Sequence, residues 1–167
     1  MNKLIICTVG TSISSKVESY REMQKDPLGW DADNELIKKD IYEYLQTQKD
    51  IRRMSAELNC LDRLDLHPAD IIVLLTTDNA LGRVSAESLK EVLTDRYNLA
   101  PANVHVKRII GLQVKNAKLL REEGLKNFVK VVLDYLTDPQ YRFGYETIIN
   151  PTGGFKGVLP FLTMLGM

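Results

Sequence analysis

Residues 146–157, Glu-Thr-Ile-Ile-Asn-Pro-Thr-Gly-Gly-Phe-Lys-Gly, end a short apolar run in Pro151, Thr152, Gly153 and Gly154 and then open an apolar, helix-like segment. The pattern predicts a strand that delivers a glycine loop onto a helix N-terminus. Glycine lets the backbone come close to a ligand, and the first free N–H groups of a helix point outward as an anion site. Phe155 and Lys156 follow at once, and the lysine adds a mobile cation. The chemistry that suits this turn is the binding of a phosphate.

Two further loops share its character. An apolar run over residues 4–8 leads into Gly10, Thr11 and Ser12, and a second over 71–76 leads into Thr77, Asp78 and Asn79, then Gly82 and Arg83. In an open parallel sheet, ligands bind outside the carboxyl ends of the strands near the switch point, so the three loops read as one crevice for a polar, phosphate-bearing ligand. Each also has a plainer structural use. Thr11 or Ser12 would cap a helix, Thr152 to Gly154 would make a tight turn, Asp78 and Arg83 would pair locally, and Lys156 would be a solvated surface lysine. Gly10 is not followed by the G-x-x-G spacing of dinucleotide enzymes and no G-K-[ST] closes the first loop, which disfavours a nicotinamide enzyme or a P-loop hydrolase.

Strands are expected at residues 4–8, 71–76, 104–109 and 147–150, with helical periodicity at 34–59, 85–97 and 116–136. Strands alternating with helices predict an α/β domain, a mainly parallel sheet with helices on both faces. The 167 residues suit a single domain spanning 1–167. Residues 13–33 are polar and read as a loop over a site or at an interface.

Lys plus Arg and Asp plus Glu each number 22, so no global field draws in duplex nucleic acid, and any nucleotide ligand must be small and held locally. Cys7, Cys60, His67 and His105 lack metal-ligand spacing, so neither a metal nor another cofactor is expected. No stretch has the roughly 20 apolar residues of a membrane span, and no secretory signal opens the chain, which predicts a cytoplasmic protein without a membrane partner.

Taken together, Cys7-Thr-Val-Gly-Thr-Ser12, the stretch 75–87 (Leu-Thr-Thr-Asp-Asn-Ala-Leu-Gly-Arg-Val-Ser-Ala-Glu), Ile110-Gly-Leu-Gln113 and Asn150-Pro-Thr-Gly-Gly-Phe-Lys-Gly157 resemble the CARF domains of type III CRISPR systems. The resemblance runs over nearly the whole chain and is strongest to the branch with a T-V-G-T-S start and a T-G-G-F-K-G close. It implies a Rossmann-like homodimer whose two-fold axis crosses a pocket for cyclic oligoadenylate, with four adenylates favoured over six, in antiviral signalling. The implied ligand-binding residues are Gly10, Thr11, Ser12, Thr77, Asp78, Asn79, Gly82, Arg83, Thr152, Gly153, Gly154, Phe155 and Lys156. Some members of the family are ring nucleases that cut without metal. For that activity the catalytic candidates here are Lys156, Ser12 and Thr11, and only slow cleavage is expected because no histidine falls in a motif loop. Relatives usually continue past the closing helix into a further strand and often a fused effector domain, so the resemblance also implies a shortened C-terminal end and an effector absent from this chain. Outside the resemblance, the same loops would serve a Rossmann-like protein binding a mononucleotide or a sugar phosphate.

Overall fold

The computed structural model describes residues 1–23, 29–113, 116–153 and 156–165, with the backbone alone at Ser14, Ile51 and Lys156. Four strands, β1 (Asn2–Thr8), β2 (Ile71–Thr76), β3 (Val104–Arg108) and β4 (Tyr145–Asn150), form one sheet in the order β3-β2-β1-β4, and every neighbouring pair is parallel. The fold is therefore the expected Rossmann-like α/β arrangement. Its switch point lies between β1 and β4, because the chain steps outward from β1 to β2 and β3 and then crosses back from β3 to β4 on the other side of β1.

Strand alternation divides the core. Ile5 and Cys7 of β1 join Ile72 and Leu74 of β2 in one buried cluster, while Leu4 and Ile6 join Ile71, Val73 and Leu75 in another on the opposite face. Near-continuous apolar runs are what a sheet covered on both sides demands. The first face is covered by α1 (Glu18–Met23), α2 (Glu35–Thr47), α3 (Ala56–Leu61) and α4 (Ala80–Tyr97). On the second face lie α6 (Leu125–Thr137), α7 (Pro139–Arg142) and α8 (Leu159–Leu165), preceded by the single turn α5 (Ala117–Leu119).

The helical pattern over 34–59 is two helices. α2 ends at Thr47, Gln48 is extended, and α3 restarts beyond Ser55, whose Oγ accepts the Leu58 N–H at 3.0 Å. α4 begins at Ala80, five residues earlier than its apolar periodicity suggests, because the Asn79 side chain caps it by accepting the Gly82 N–H at 2.9 Å. The 116–136 pattern is interrupted by a π-helical turn, Leu120–Gly124. There Gly124 lies against the backbone of Gly111, and a Cβ on Gly124 would sit 2.4 Å from the Gly111 carbonyl oxygen.

Residues 13–33, expected as a loop over a site or at an interface, are in part helical, since α1 lies within them. Val17, Tyr20 and Met23 are buried in the first cluster, and Tyr20 is fully enclosed. Residues 24–28 lie outside the described residues. The chain then pairs Gly29 with Asn79 in an isolated antiparallel bridge, the Arg83 guanidinium donates to the Ala32 carbonyl, and the Arg108 guanidinium stands 5.3 Å from the centre of the Trp30 ring. This segment is therefore tied to the exits of β2 and β3. On β3, one of the two outer strands of the sheet, His105 contacts the Tyr135 hydroxyl through Nδ1 at 2.8 Å and the Ala102 carbonyl through Nε2 at 2.9 Å.

Candidate functional site

β1 and β4 are neighbours, with Cys7 opposite Asn150, so their carboxyl-end loops leave side by side. The Thr8 hydroxyl donates to the Gly153 carbonyl at 2.7 Å. Gly153 is packed so closely that a Cβ there would lie 1.8 Å from the Thr8 carbonyl oxygen and 2.7 Å from Oε1 of Glu57. Only glycine fits such a backbone crossing. Asn150 shapes the start of the turn: its Oδ1 accepts the Thr152 hydroxyl at 2.7 Å and the Thr152 N–H at 3.2 Å, and its Nδ2 donates to the Cys7 sulfur at 3.0 Å.

A carboxylate joins the two loops. Glu57, in the first turn of α3, is 1% exposed; its Oε1 accepts the Gly10 N–H at 2.7 Å and its Oε2 accepts the Ser12 hydroxyl at 2.9 Å. The Gly10 N–H, which the sequence directs at a phosphate, is thus donated to the protein's own carboxylate. Burial pushes the Cys7 thiol well above its ordinary value, and the Glu57 charge adds to the shift. Cys7 is accordingly a protonated core residue.

A second cluster closes the β2 and β3 exits. Asp78 Oδ2 accepts the Gly111 N–H at 2.8 Å and Oδ1 accepts the Gln113 side-chain amide at 2.7 Å. Gly111 has φ +80°, a conformation that favours glycine, so Asp78 fixes a glycine turn just beyond the carboxyl end of β3. The Thr77 hydroxyl donates to Asn79 Oδ1 at 3.0 Å. Asp78 and Arg83 make no ion pair among the described residues, since Arg83 reaches Ala32 instead. Gly82 faces the β2 exit, where a Cβ would meet the Thr77 hydroxyl at 2.1 Å and the Thr76 hydroxyl at 2.5 Å.

Among the expected residues, then, Gly10, Ser12, Thr152 and Gly153 gather at the β1/β4 junction, while Thr77, Asp78, Asn79, Gly82 and Arg83 gather on the adjacent strand exit. Thr11 is exposed on the first loop. Gly154, Phe155 and the Lys156 side chain lie outside the described residues; the Lys156 backbone starts the short turn Lys156–Val158. Sequence reasoning missed Glu57 altogether; Asn150, Gly111 and Gln113 stand in the stretches that carry the resemblance but were given no role in the site. Glu57 had a usable signal: it lies three residues after Met54 and four before Leu61, on the apolar side of its helix, where a carboxylate must find donors.

No group of three or more His, Cys, Asp or Glu side chains among the described residues is placed to hold a metal ion. No helix among them is long and apolar enough to cross a membrane.

Residues 52–167 match the family described as CRISPR-associated protein (Cas_APE2256). The chain belongs to this family. The matched span of this CRISPR-associated chain begins just before α3 and takes in Glu57, the β2 and β3 exits and the Thr152–Gly153 turn, leaving Gly10 to Ser12 ahead of it. No curated protein matches the chain.

Proposed function

We propose that this CRISPR-associated protein is a CARF-type sensor that binds cyclic oligoadenylate, preferring cyclic tetra-adenylate, in type III antiviral signalling. The observation that carries the reading is the joining of two glycine loops at the switch point, where the backbone of Gly153 crosses Thr8 beside the Gly10–Ser12 loop. Family membership supports a CRISPR role over a general mononucleotide or sugar-phosphate protein. A ring of identical nucleotides has rotational symmetry, so a homodimer needs only one set of these loops per chain, placed twice about its two-fold axis. Lys156 and the Gly153–Gly154 turn would take phosphate, and Thr11, Ser12, Asn79 and Arg83 would face ribose and base.

A second reading, slow ring cleavage, is favoured by the Ser12 hydroxyl being held in a fixed orientation at the crevice. A ribose 2′-oxygen forms a bond to the adjacent phosphorus as the bond from phosphorus to the 5′-oxygen breaks. The 2′ proton leaves to water, the 5′-oxygen takes one from water, and a 2′,3′-cyclic phosphate remains. Such a step asks mainly for alignment and charge stabilisation.

Incubation with cyclic tetra-adenylate and cyclic hexa-adenylate in EDTA, followed by native gel and mass spectrometry, tests both readings. Tight binding of an intact ring is the result expected of a sensor, and linear products ending in a 2′,3′-cyclic phosphate establish cleavage. A folded dimer that binds neither ring overturns the proposal.

A further inference from the structure

A serine hydroxyl has one proton and two lone pairs. In this crevice the proton of Ser12 is committed, because Oγ donates it to Glu57 Oε2 at 2.9 Å. Glu57 cannot turn away from that task. Its other oxygen is held by the Gly10 N–H at 2.7 Å, its side chain is 1% exposed, and the Gly153 backbone closes over it. The half-exposed Ser12 oxygen therefore meets a ligand with its lone pairs alone.

We propose that Glu57 sets the polarity of Ser12, making it an obligate acceptor for a hydroxyl donor on the ligand, and that this selects ribonucleotides over deoxyribonucleotides at the site. The inference rests on the nucleotide-binding reading above and deepens it. A ribose 2′-OH is the group that distinguishes the two sugars, and it is a donor that a bare lone pair recognises. A phosphate oxygen, which only accepts, gains nothing from this serine and is repelled by the carboxylate behind it. Ser12 is thus assigned to the sugar and not to the phosphate. Glu57 acts through Ser12 as a positioning residue.

Glu57→Gln reverses the arrangement without changing its shape. The Gly10 N–H requires an acceptor, so the glutamine oxygen takes its place there and the amide turns its N–H groups towards Ser12. Ser12 then accepts from the glutamine and its own proton is released to the crevice. Calorimetric titration is run with two probe pairs: adenosine 3′-monophosphate against its 2′-deoxy analogue, and cyclic tetra-adenylate against the all-2′-deoxy ring. The wild type is expected to prefer each ribose form by about tenfold per chain, the effect of one well-placed hydrogen bond. In Glu57→Gln that preference falls to near unity. Ser12→Ala loses the preference equally, and the double variant loses no more, because the two residues act as a unit.

An unchanged ribose preference in a folded Glu57→Gln protein overturns the inference. Should that variant fail to fold, an unchanged preference in Ser12→Ala overturns it as well. If the ring binds but the preference does not respond to either substitution, the ring reading stands and the role of Glu57 falls. If the mononucleotides show the preference and its loss while neither ring binds, Glu57 keeps its role and the ring reading falls. A wild type that is indifferent to the sugar, or that binds no probe, overturns the inference.

Discussion

Gly153 carries the tightest steric demand in the crevice. An added methyl would meet a backbone carbonyl at 1.8 Å, an atom that cannot swing aside like the end of a side chain. Gly153→Ala is expected to cost about 1–3 kcal/mol in urea denaturation, the usual penalty of overpacking, and to abolish ligand binding together with the β1/β4 junction. The two cysteines give a separate residue-scale check. Burial raises both thiols, but Cys7 is enclosed and lies beside the Glu57 charge, whereas Cys60 is only partly covered. Iodoacetamide at pH 8 should modify the native protein once, at Cys60, and reach Cys7 only after unfolding; early modification of Cys7 would mean that the junction opens readily.

Among the elements, α3 decides the site although it is only six residues long. Its cap, Ser55, also orients the turn that carries Glu57. Ser55→Ala should lower stability by about 1 kcal/mol, as lost caps do, and weaken ligand affinity along with it. A titration probes the pairing of β3 with α6. Burial holds the His105 imidazole below its ordinary value of 6.5, against the pull of the Ala102 carbonyl, and the Lys107 and Lys90 charges add to the depression. The unfolded chain therefore binds this proton more readily than the folded one, so the stability linked to His105 is present above pH 6.5 and is lost as pH falls below it. Melting temperatures of the wild type should drop more between pH 7.5 and 5.5 than those of His105→Gln, with equal drops counting against this account. These elements also show how far the chain is legible. β1 and β2 are plain because apolar, β-branched runs buried on both faces leave little ambiguity, β3 and β4 carry a weaker form of the same signal at the sheet edges, and the loops at the carboxyl edge follow from parallel topology. The apolar side of α3 marks Glu57 as buried, but its partners, Gly10 and Gly153, are 47 residues before it and 96 after it, a separation that no local pattern encodes. The π-helical turn escaped for a related reason, because Gly124 looks ordinary until its neighbour Gly111 is known, whereas the split of 34–59 had a local sign in Ser55, whose cap partner Leu58 is only three residues on.

For the whole molecule, the proposed symmetry has a stoichiometric consequence. Titration with cyclic tetra-adenylate should saturate at one ring per two chains, and sedimentation should show a dimer both before and after ligand is added. One ring per chain, or a monomer throughout, would contradict the two-fold pocket. Balanced charge, 22 acidic against 22 basic residues, leads to the further expectation that duplex DNA gives no shift at physiological salt.

The central position of β1 also governs when the protein becomes competent. Of the four strands this one is made first, yet one of its two partners, β4, starts only at Tyr145. At the usual 5–20 residues per second the first strand waits on the order of ten seconds for that neighbour, with one backbone edge unsatisfied. The crevice, whose walls come from both strands, does not exist during that interval. A chain interrupted before Tyr145 therefore lacks one wall of the crevice, and a ligand that needs both loops can bind only once β4 has been made and paired.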